Sequence, residues 1–248
     1  MLDLRSDQRL EGFRQRVYRV DPGGRDVPLA LWTPLDPRGP LPLVLIGHGG
    51  GGHKVDDSRL DLAARYTSRG VAAAAIDGPW HGERALSEGA PRLAWSRAVV
   101  DSMVEDWRIT LDALVALSEV DGERVGYGGV SMGTMFGLPF VASEPRVRAA
   151  VLGLYGFRDR EPRRDGEADE VATRIHEAAP RLRCPVLFLM QWDDDLFERA
   201  SILEVYDRIG SPEKQLLANP GLHHETPEHA RAATTGFLVG RLASLEVR

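Results

Sequence analysis

Short apolar, β-branched runs alternate along most of the chain with longer segments whose apolar residues recur at helical spacing. This alternation is typical of a mainly parallel sheet with helices on both faces. The first part differs, because residues 13–20 and 27–33 flank a Pro-Gly-Gly turn and predict an antiparallel hairpin at the N-terminal edge of the sheet. Buried strands are then predicted at residues 43–47, 71–76, 124–128, 149–154, 186–190 and 215–218.

Helices are predicted between these strands, at residues 60–69, 95–117, 134–141, 171–178, 199–209 and 228–245. No composition change marks a linker, so the 248 residues are expected to form a single α/β domain, 1–248. Residues 157–183 are dense in charge and contain one of the predicted helices. We interpret them as a short surface insertion that either covers a site at the sheet edge or forms a solvated connection.

Composition and charge exclude several classes of protein. The chain is 43% hydrophobic and 27% charged, with a net charge of −6 and no basic stripe, which argues against a nucleic-acid partner. Its N-terminal residues are charged and its apolar runs are short, so neither export nor a membrane partner is expected. The single cysteine, Cys184, is expected to be a packing residue, and its isolation fits a cytoplasmic protein.

One stretch carries a specific chemical signal. Gly129-Val130-Ser131-Met132-Gly133 lies between a predicted strand and a predicted helix, which is the context of a nucleophile elbow. Glycines on both sides let the strand and the helix approach closely around a strained serine. We therefore expect Ser131 to be a nucleophile exposed at a helix N-terminus, with a simple tight turn as the alternative.

A glycine-rich loop at residues 47–53 follows the strand predicted for the middle of the sheet. Glycine leaves backbone N–H groups open to a ligand, so this loop is expected to form part of an oxyanion hole. The expected donors are the N–H groups of Gly50, with Gly51 as second choice, and of Met132. A phosphate cradle is the competing interpretation, but the loop lacks the Gly-Lys-Ser/Thr ending.

An activated serine also needs a base and a carboxylate that orients the base. Three consecutive aspartates, 193–195, and two consecutive histidines, 223 and 224, follow two successive predicted strands. Side chains there converge at the carboxyl edge of the sheet, the usual ligand crevice of open α/β folds. The residues alone leave open which aspartate and which histidine take part. No metal site is predicted, since there is no His-Glu-x-x-His and no cysteine pair, and no cofactor is expected.

Five motifs can be compared with known families: Gly47-His48-Gly49-Gly50, Asp77-Gly78-Pro79-Trp80-His81-Gly82-Glu83-Arg84, the elbow, Trp192-Asp193-Asp194 and Pro220-Gly221-Leu222-His223. Together they resemble the α/β-hydrolases, and within them the small bacterial dienelactone-hydrolase-like esterases. The resemblance extends from about residue 28 to 242 and implies the α/β-hydrolase fold. It also implies that Asp194 is the acid, that His223 is the base, and that His81 braces active-site loops. The dienelactone hydrolases proper use a cysteine nucleophile, so Ser131 favours general esters.

The expected function is a serine hydrolase that cleaves carboxylic esters of small soluble substrates through an acyl-enzyme, as a monomer or homodimer. The alternatives are a thioesterase, a peptidase or an acyltransferase with the same machinery, or a non-catalytic binding module of the same fold. Two minor expectations concern other ionisable residues. His48 and His53 are expected to make structural hydrogen bonds, and Asp101, Asp106, Arg108 and Asp112 are expected to form a solvated helix face or ion pairs.

Overall fold

In the residues that the structure describes, the fold is built on a nine-stranded β-sheet with helices packed on both faces. A computed structural model describes residues 2–21, 23–87, 95–157 and 167–243, without the side chains of residues 167–169. Within these ranges the strand order is β1-β2-β3-β5-β4-β6-β7-β8-β9. The strands are β1 (Leu2–Leu10), β2 (Phe13–Val20), β3 (Val27–Pro34), β4 (Leu41–Gly47), β5 (Ala72–Ile76), β6 (Val120–Gly129), β7 (Val147–Gly153), β8 (Val186–Gln191) and β9 (Lys214–Asn219).

Strands β4 to β9 are mutually parallel, and β1, β2 and β3 add an antiparallel edge. The predicted fold class, the hairpin and the six later strands are therefore confirmed, but β9 is an edge strand and is only partly buried, because no further strand of the described residues covers its outer side. The hairpin is not the outermost element, however, because β1 pairs with β2 beyond it. Strand β1 is largely exposed and has a bulge between Leu4 and Ser6, so it carries little of the hydrophobic signal that reveals a strand.

The helices cover both faces of the sheet. Apolar residues of α2, α3, α4 and α5 pack into the core on one face, and those of α1 and α6 pack into the core on the other. No helix in the described ranges is long and apolar enough to cross a membrane. The helices are α1 (Asp57–Thr67), α2 (Arg97–Val115), α3 (Met132–Ser143), α4 (Glu167–Ala178), α5 (Arg199–Arg208) and α6 (Glu228–Ala243), with single 3-10 turns at Gly82–Arg84 and Ala179–Arg181.

Residues 158–166, which include most of the charged run of the expected insertion, lie outside the described ranges. The helix predicted at residues 171–178 is part of α4, and its Val171, Ile175 and Ala178 are buried in the core beside α3. The described second half of this segment is thus a packed layer rather than a solvated connection. That the segment covers a site remains a prediction.

Cys184 is partly buried and packs against the same core. Burial raises the pKa of its thiol to about 12. The thiolate is therefore scarce at neutral pH, in agreement with the expected packing role.

The side chain of Tyr127, a residue of β6, packs between the middle of the sheet and α3. It is fully buried, packs edge-to-face on Trp107, and donates a hydrogen bond from its hydroxyl to the carbonyl of Gly133 at 2.7 Å. The ring lies so close to Gly137 of α3 that a Cβ atom added there would overlap it. Gly137 is thus required for space, in the middle of a helix where glycine is otherwise unfavourable.

We expect Gly137→Ala to lower the free energy of unfolding by about 1–3 kcal/mol, because an added methyl group overpacks the Tyr127 ring. Gly236→Ala in α6 is the matched control. No atom lies within 4 Å of a Cβ placed at Gly236, so this change should stabilise the protein by about 0.4–1 kcal/mol. Urea denaturation of the two variants measures both effects. Equal stabilisation by the two alanines would contradict the packing argument.

Candidate active site

The candidate residues meet at the carboxyl edge of the parallel strands. Ser131 follows β6, Asp194 follows β8 and His223 follows β9. The glycine-rich loop, residues 47–53, begins at the last residue of β4, which is hydrogen-bonded to β6. Since parallel strands end at the same edge, segments far apart in sequence are brought together there.

Ser131 is the strained residue of the elbow. Its φ is 57° and its ψ is −123°, a conformation that costs a non-glycine residue about 1–3 kcal/mol. Its own N–H donates to the carbonyl of Gly153 at 2.9 Å, which ties the elbow to the end of β7. The buried Thr134 hydroxyl accepts the Gly153 N–H at 2.8 Å and lies within hydrogen-bond distance of the Gly129 and Gly153 carbonyls. Strands β6 and β7 together hold the serine in place.

Gly133, the second glycine of the elbow, lets the glycine-rich loop approach the start of α3. A Cβ atom at this position would lie 3.1 Å from the carbonyl oxygen of Gly47 and 3.4 Å from that of His48. Any larger residue would push the loop away from Ser131. The sequence pattern thus reflects a close backbone contact between the two segments.

The structure brings Ser131, His223 and Asp194 together in one hydrogen-bonded chain. His223 Nε2 lies 2.9 Å from Ser131 Oγ, and His223 Nδ1 lies 2.8 Å from Asp194 Oδ2. A carboxylate can only accept, so Nδ1 carries the proton and Nε2 is left to accept from the serine hydroxyl. His223 and Asp194 are both buried, whereas Ser131 is partly exposed.

The Asp194 carboxylate is held by groups that favour its charged form. Burial by itself raises the pKa of this carboxyl, but the hydrogen bond from His223 and those from the N–H groups of Phe197 and Leu196 outweigh burial and lower the pKa below its usual value. Both N–H groups donate to Oδ1 at 2.9 Å, which leaves Oδ2 for the histidine ring. Asp194 is therefore an anion at neutral pH, aimed at the imidazole.

The neighbours of these residues take different positions. Asp193 is exposed, with Oδ1 3.5 Å from an Arg199 nitrogen. Asp195 is exposed and accepts the backbone N–H of His223 at 3.0 Å. His224 is exposed and meets the His223 ring edge-on, with 4.9 Å between the ring centroids. Of the two histidines, it is His223 whose ring joins Ser131 to a carboxylate.

Two histidines hold the peptide planes of the glycine-rich loop. His48 Nε2 accepts the Gly78 N–H at 2.8 Å, so its Nδ1 carries the proton and donates to the Gly49 carbonyl at 2.8 Å. Burial lowers the pKa of His48 to about 4, which keeps the ring neutral in this tautomer. His81 Nε2 lies 2.8 Å from the Gly50 carbonyl oxygen, so this ring braces the loop.

These contacts fix the direction of the N–H groups as well. In a trans peptide the carbonyl of one residue and the N–H of the next point in opposite directions. Fixing the Gly49 carbonyl therefore orients the Gly50 N–H, and fixing the Gly50 carbonyl orients the Gly51 N–H. Met132 is the first residue of α3, where the N–H groups have no acceptor within the helix.

No family model and no curated protein matches the chain. Among solved structures it is similar to a cold-adapted esterase from an Arctic intertidal metagenomic library, in its PEG-bound complex. The two chains are 34% identical, with a TM-score of 0.80, over 95% of this chain and 97% of that one. The chain belongs to the α/β-hydrolase esterases. The acetyl xylan esterase of Paenibacillus sp. R4 has the same fold at 20% identity, with a TM-score of 0.77 over 97% of this chain and 88% of that one.

A buried ion pair lies between the glycine-rich loop of this esterase and the loop that carries His81, and the sequence did not reveal it. Lys54 Nζ lies 2.8 Å from Asp77 Oδ2 and also contacts Glu83, with Lys54 3% and Asp77 0% exposed. Asp77 accepts the backbone N–H groups of Lys54 and Glu83 at 2.8 and 2.9 Å. The pair thus joins the end of the glycine-rich loop to the loop that carries His81. That the protein has only two lysines is a weak hint of it.

Of the two expectations for Asp106 of α2, ion pairs are confirmed and a solvated position is not. This carboxylate is fully buried and forms ion pairs with Arg25 at 2.7 Å and Arg84 at 2.8 Å. Arg84 also donates to the Asp77 carbonyl, so this network is continuous with the one around Lys54. The reason is tertiary, because the hairpin turn between β2 and β3 brings Arg25 over a helix position that looks solvated in the sequence.

The other charged residues singled out on α2, and His53, have structural partners. Asp101, Arg108 and Asp112 form ion pairs with Arg174, Glu105 and Arg146, respectively. His53 accepts the Val55 N–H at 3.3 Å, which is a structural hydrogen bond. Within the described ranges, no group of three or more histidine, cysteine or acidic side chains is arranged to hold a metal ion.

We expect Asp77→Asn to destabilise the esterase by about 3 kcal/mol, because it removes the charge opposite the buried Lys54 and places an amide NH₂ against a backbone donor. Glu123→Gln is the control, since it breaks the exposed pair with Arg148 and should cost less than about 1 kcal/mol. Thermal unfolding of both variants tests the difference. A cost for Asp77→Asn no larger than that of the control would show that the ion pair is dispensable.

Proposed function

We propose that this esterase is a serine hydrolase that cleaves carboxylic esters of small substrates through an acyl-enzyme, with Ser131, His223 and Asp194 as its catalytic residues. The observation that carries the proposal is the hydrogen-bonded chain from Ser131 Oγ through both nitrogens of His223 to Asp194, with the serine on a strained elbow. Strain and a buried carboxylate are costly features that a passive turn does not need.

In the proposed mechanism, Ser131 Oγ attacks the acyl carbon while His223 Nε2 accepts the hydroxyl proton. Asp194 keeps the proton on Nδ1 and stabilises the imidazolium that forms. The tetrahedral intermediate then collapses, the bond to the alcohol oxygen breaks, and His223 returns the proton to the departing alcohol. Water, deprotonated by the same histidine, attacks the acyl-enzyme and releases the acid together with free Ser131.

The N–H groups of Gly50 and Met132 are proposed to hold the negatively charged oxygen of the intermediate, with Gly51 as the second choice to Gly50. Support comes from the His48 contact, which orients the Gly50 peptide, and from the position of Met132 at the first turn of α3. Donors held in advance need no reorganisation when charge develops, and removal of one such donor costs about 10²–10³ in kcat in a serine protease.

A thioesterase, a peptidase and an acyltransferase would use the same three residues and differ in leaving group or acceptor. The similarity to the esterase from the Arctic library, 34% identical over nearly the whole chain, favours esters among them. A non-catalytic binding module would have no need for the complete hydrogen-bonded chain. Comparing p-nitrophenyl acetate with an acyl-CoA, a peptide and an alcohol acceptor as substrates separates these alternatives.

The nucleophile can be tested covalently, because a fluorophosphonate reacts with a serine hydroxyl only where its neighbours activate it. We expect stoichiometric labelling at Ser131, located by mass spectrometry of the digested protein. Ser131→Ala and His223→Ala should each lower kcat by about 10⁶, by analogy with serine proteases, and the double variant should be hardly worse.

His224→Ala serves as the control for this experiment. The hydrogen bond with Ser131 is made by His223, whereas the His224 ring meets the His223 ring edge-on. His224→Ala should therefore cost far less than His223→Ala. Labelling at another residue, or losses that add in the double variant, would contradict the assignment.

Substrate size is a separate prediction. The apolar residues of α4 point into the core, so the described part of residues 157–183 offers little apolar surface for a tight cover over the site. We therefore expect p-nitrophenyl esters with short acyl groups, of about two to six carbons, to give the highest kcat/KM. A maximum at about twelve carbons, with activation at lipid interfaces, would overturn this expectation without affecting the catalytic residues.

A further inference from the structure

The acid-bearing loop after β8 and the base-bearing loop after β9 are joined by backbone contacts. The Trp192 N–H donates to the Asn219 carbonyl at 2.7 Å, and the Asp193 N–H donates to the Gly221 carbonyl at 3.2 Å. These two bonds continue the pairing of β8 with β9, whose last matched residues are Gln191 and Asn219. They stop two residues before His223.

The next link between the loops is a side chain. Asp195, the residue that directly follows Asp194, accepts the backbone N–H of His223 at its Oδ1 atom, at 3.0 Å. The acid-bearing loop thus accepts two hydrogen bonds from His223, one at Asp194 from its ring and one at Asp195 from its main chain. The contact of Asp195 adds a hold on the His223 main chain to the contacts that the ring makes with Asp194 and Ser131.

Within the base-bearing loop, the turn around His223 is short. Glu225 accepts the Leu222 N–H through its carboxylate at 2.7 Å, and its own N–H donates to the Leu222 carbonyl at 3.0 Å. Gly221 has a φ of 112°, which lets the chain leave β9 sharply. These contacts shape the turn from within, and beyond the backbone bonds at Asn219 and Gly221 the Asp195 carboxylate holds the main chain of the turn at His223 itself.

We propose that Asp195 is a positioning residue, which holds the His223 main chain so that its ring stays in line between Asp194 and Ser131. This inference rests on the proposed function. The hydrogen bond from His223 lowers the pKa of Asp195, so the acceptor is an anion at neutral pH. A charged acceptor makes a shorter and stronger bond to an N–H than a neutral one does.

Loss of the Asp195 contact should impair the chemical step, measured by kcat, rather than substrate binding. A displacement of about 1 Å in a catalytic group can cost about 100-fold in rate. Asp195→Ala should therefore lower kcat by about 10- to 100-fold and leave KM within about twofold. Asp195→Asn keeps an oxygen acceptor for the His223 N–H and should recover most of this loss. Because Asp195 is exposed, the melting temperature of both variants should stay close to that of the wild type.

The experiment measures kcat, KM and melting temperature with p-nitrophenyl acetate for the wild type, Asp195→Ala and Asp195→Asn. Asp193→Ala is the matched control, since Asp193 is an exposed aspartate in the same loop whose side chain contacts Arg199 instead. The proposal expects a loss in Asp195→Ala alone, expressed in kcat. It is overturned if Asp195→Ala equals Asp193→Ala, if Asp195→Asn is as poor as Asp195→Ala, or if KM or stability accounts for the loss.

Labelling with a fluorophosphonate separates this outcome from failure of the proposed function. If Ser131 is labelled in the wild type at a normal rate and Asp195→Ala is labelled equally fast, only the positioning role fails. If Ser131 is not labelled in the wild type, the proposed function itself fails. The positioning role predicts labelling of Ser131 in both proteins, with a rate lowered in Asp195→Ala by about the same factor as kcat.

Discussion

Hydrogen bonds that join β6, β7 and α3 hold Ser131 in a left-handed backbone conformation. The Gly153 carbonyl accepts the Ser131 N–H, and the Thr134 hydroxyl accepts the Gly153 N–H. The Tyr127 hydroxyl donates to the Gly133 carbonyl. All of these partners are backbone groups or fully buried side chains, so they change little when the surface changes. Because the position of the Ser131 hydroxyl is fixed by the sheet, the proposed base must be placed against it by other segments of the chain.

The register of the sheet brings His223 and Asp194, the proposed base and acid, to Ser131. Because β8 and β9 pair in parallel up to Gln191 and Asn219, the loops that follow them start level with one another at the carboxyl edge. Asp194 is then placed by the N–H groups of its own turn, and His223 is placed by contacts from the acid-bearing loop. On the opposite side, His48 and His81 hold carbonyls of the glycine-rich loop, and the buried Lys54–Asp77 pair fastens the segments from which both rings extend.

Much of this arrangement could be predicted from the sequence. The parallel strands are short apolar runs with clear boundaries, and the elbow has a pattern that the backbone itself requires, so both were visible. Strand β1 was missed because an exposed, bulged edge strand has no face whose burial imposes alternation. The buried charges of Lys54, Asp77 and Asp106 were missed for the opposite reason, since each looks like an ordinary surface charge and its burial depends on a partner distant in sequence.

The three aspartates after β8 show where sequence reasoning ends. Their identity and order predict that a carboxylate meets the histidine, but successive residues of a turn point in different directions, and only the turn geometry decides which one does. In the structure the Leu196 and Phe197 N–H groups curl back onto Asp194 and turn it inward, which leaves Asp193 and Asp195 on the outside. Three chemically identical side chains therefore have three surroundings: a surface arginine, a buried imidazole and a backbone N–H. The resemblance to a family selected the middle one, whereas the contact of the third arises from the way the two loops pack, which no local pattern contains.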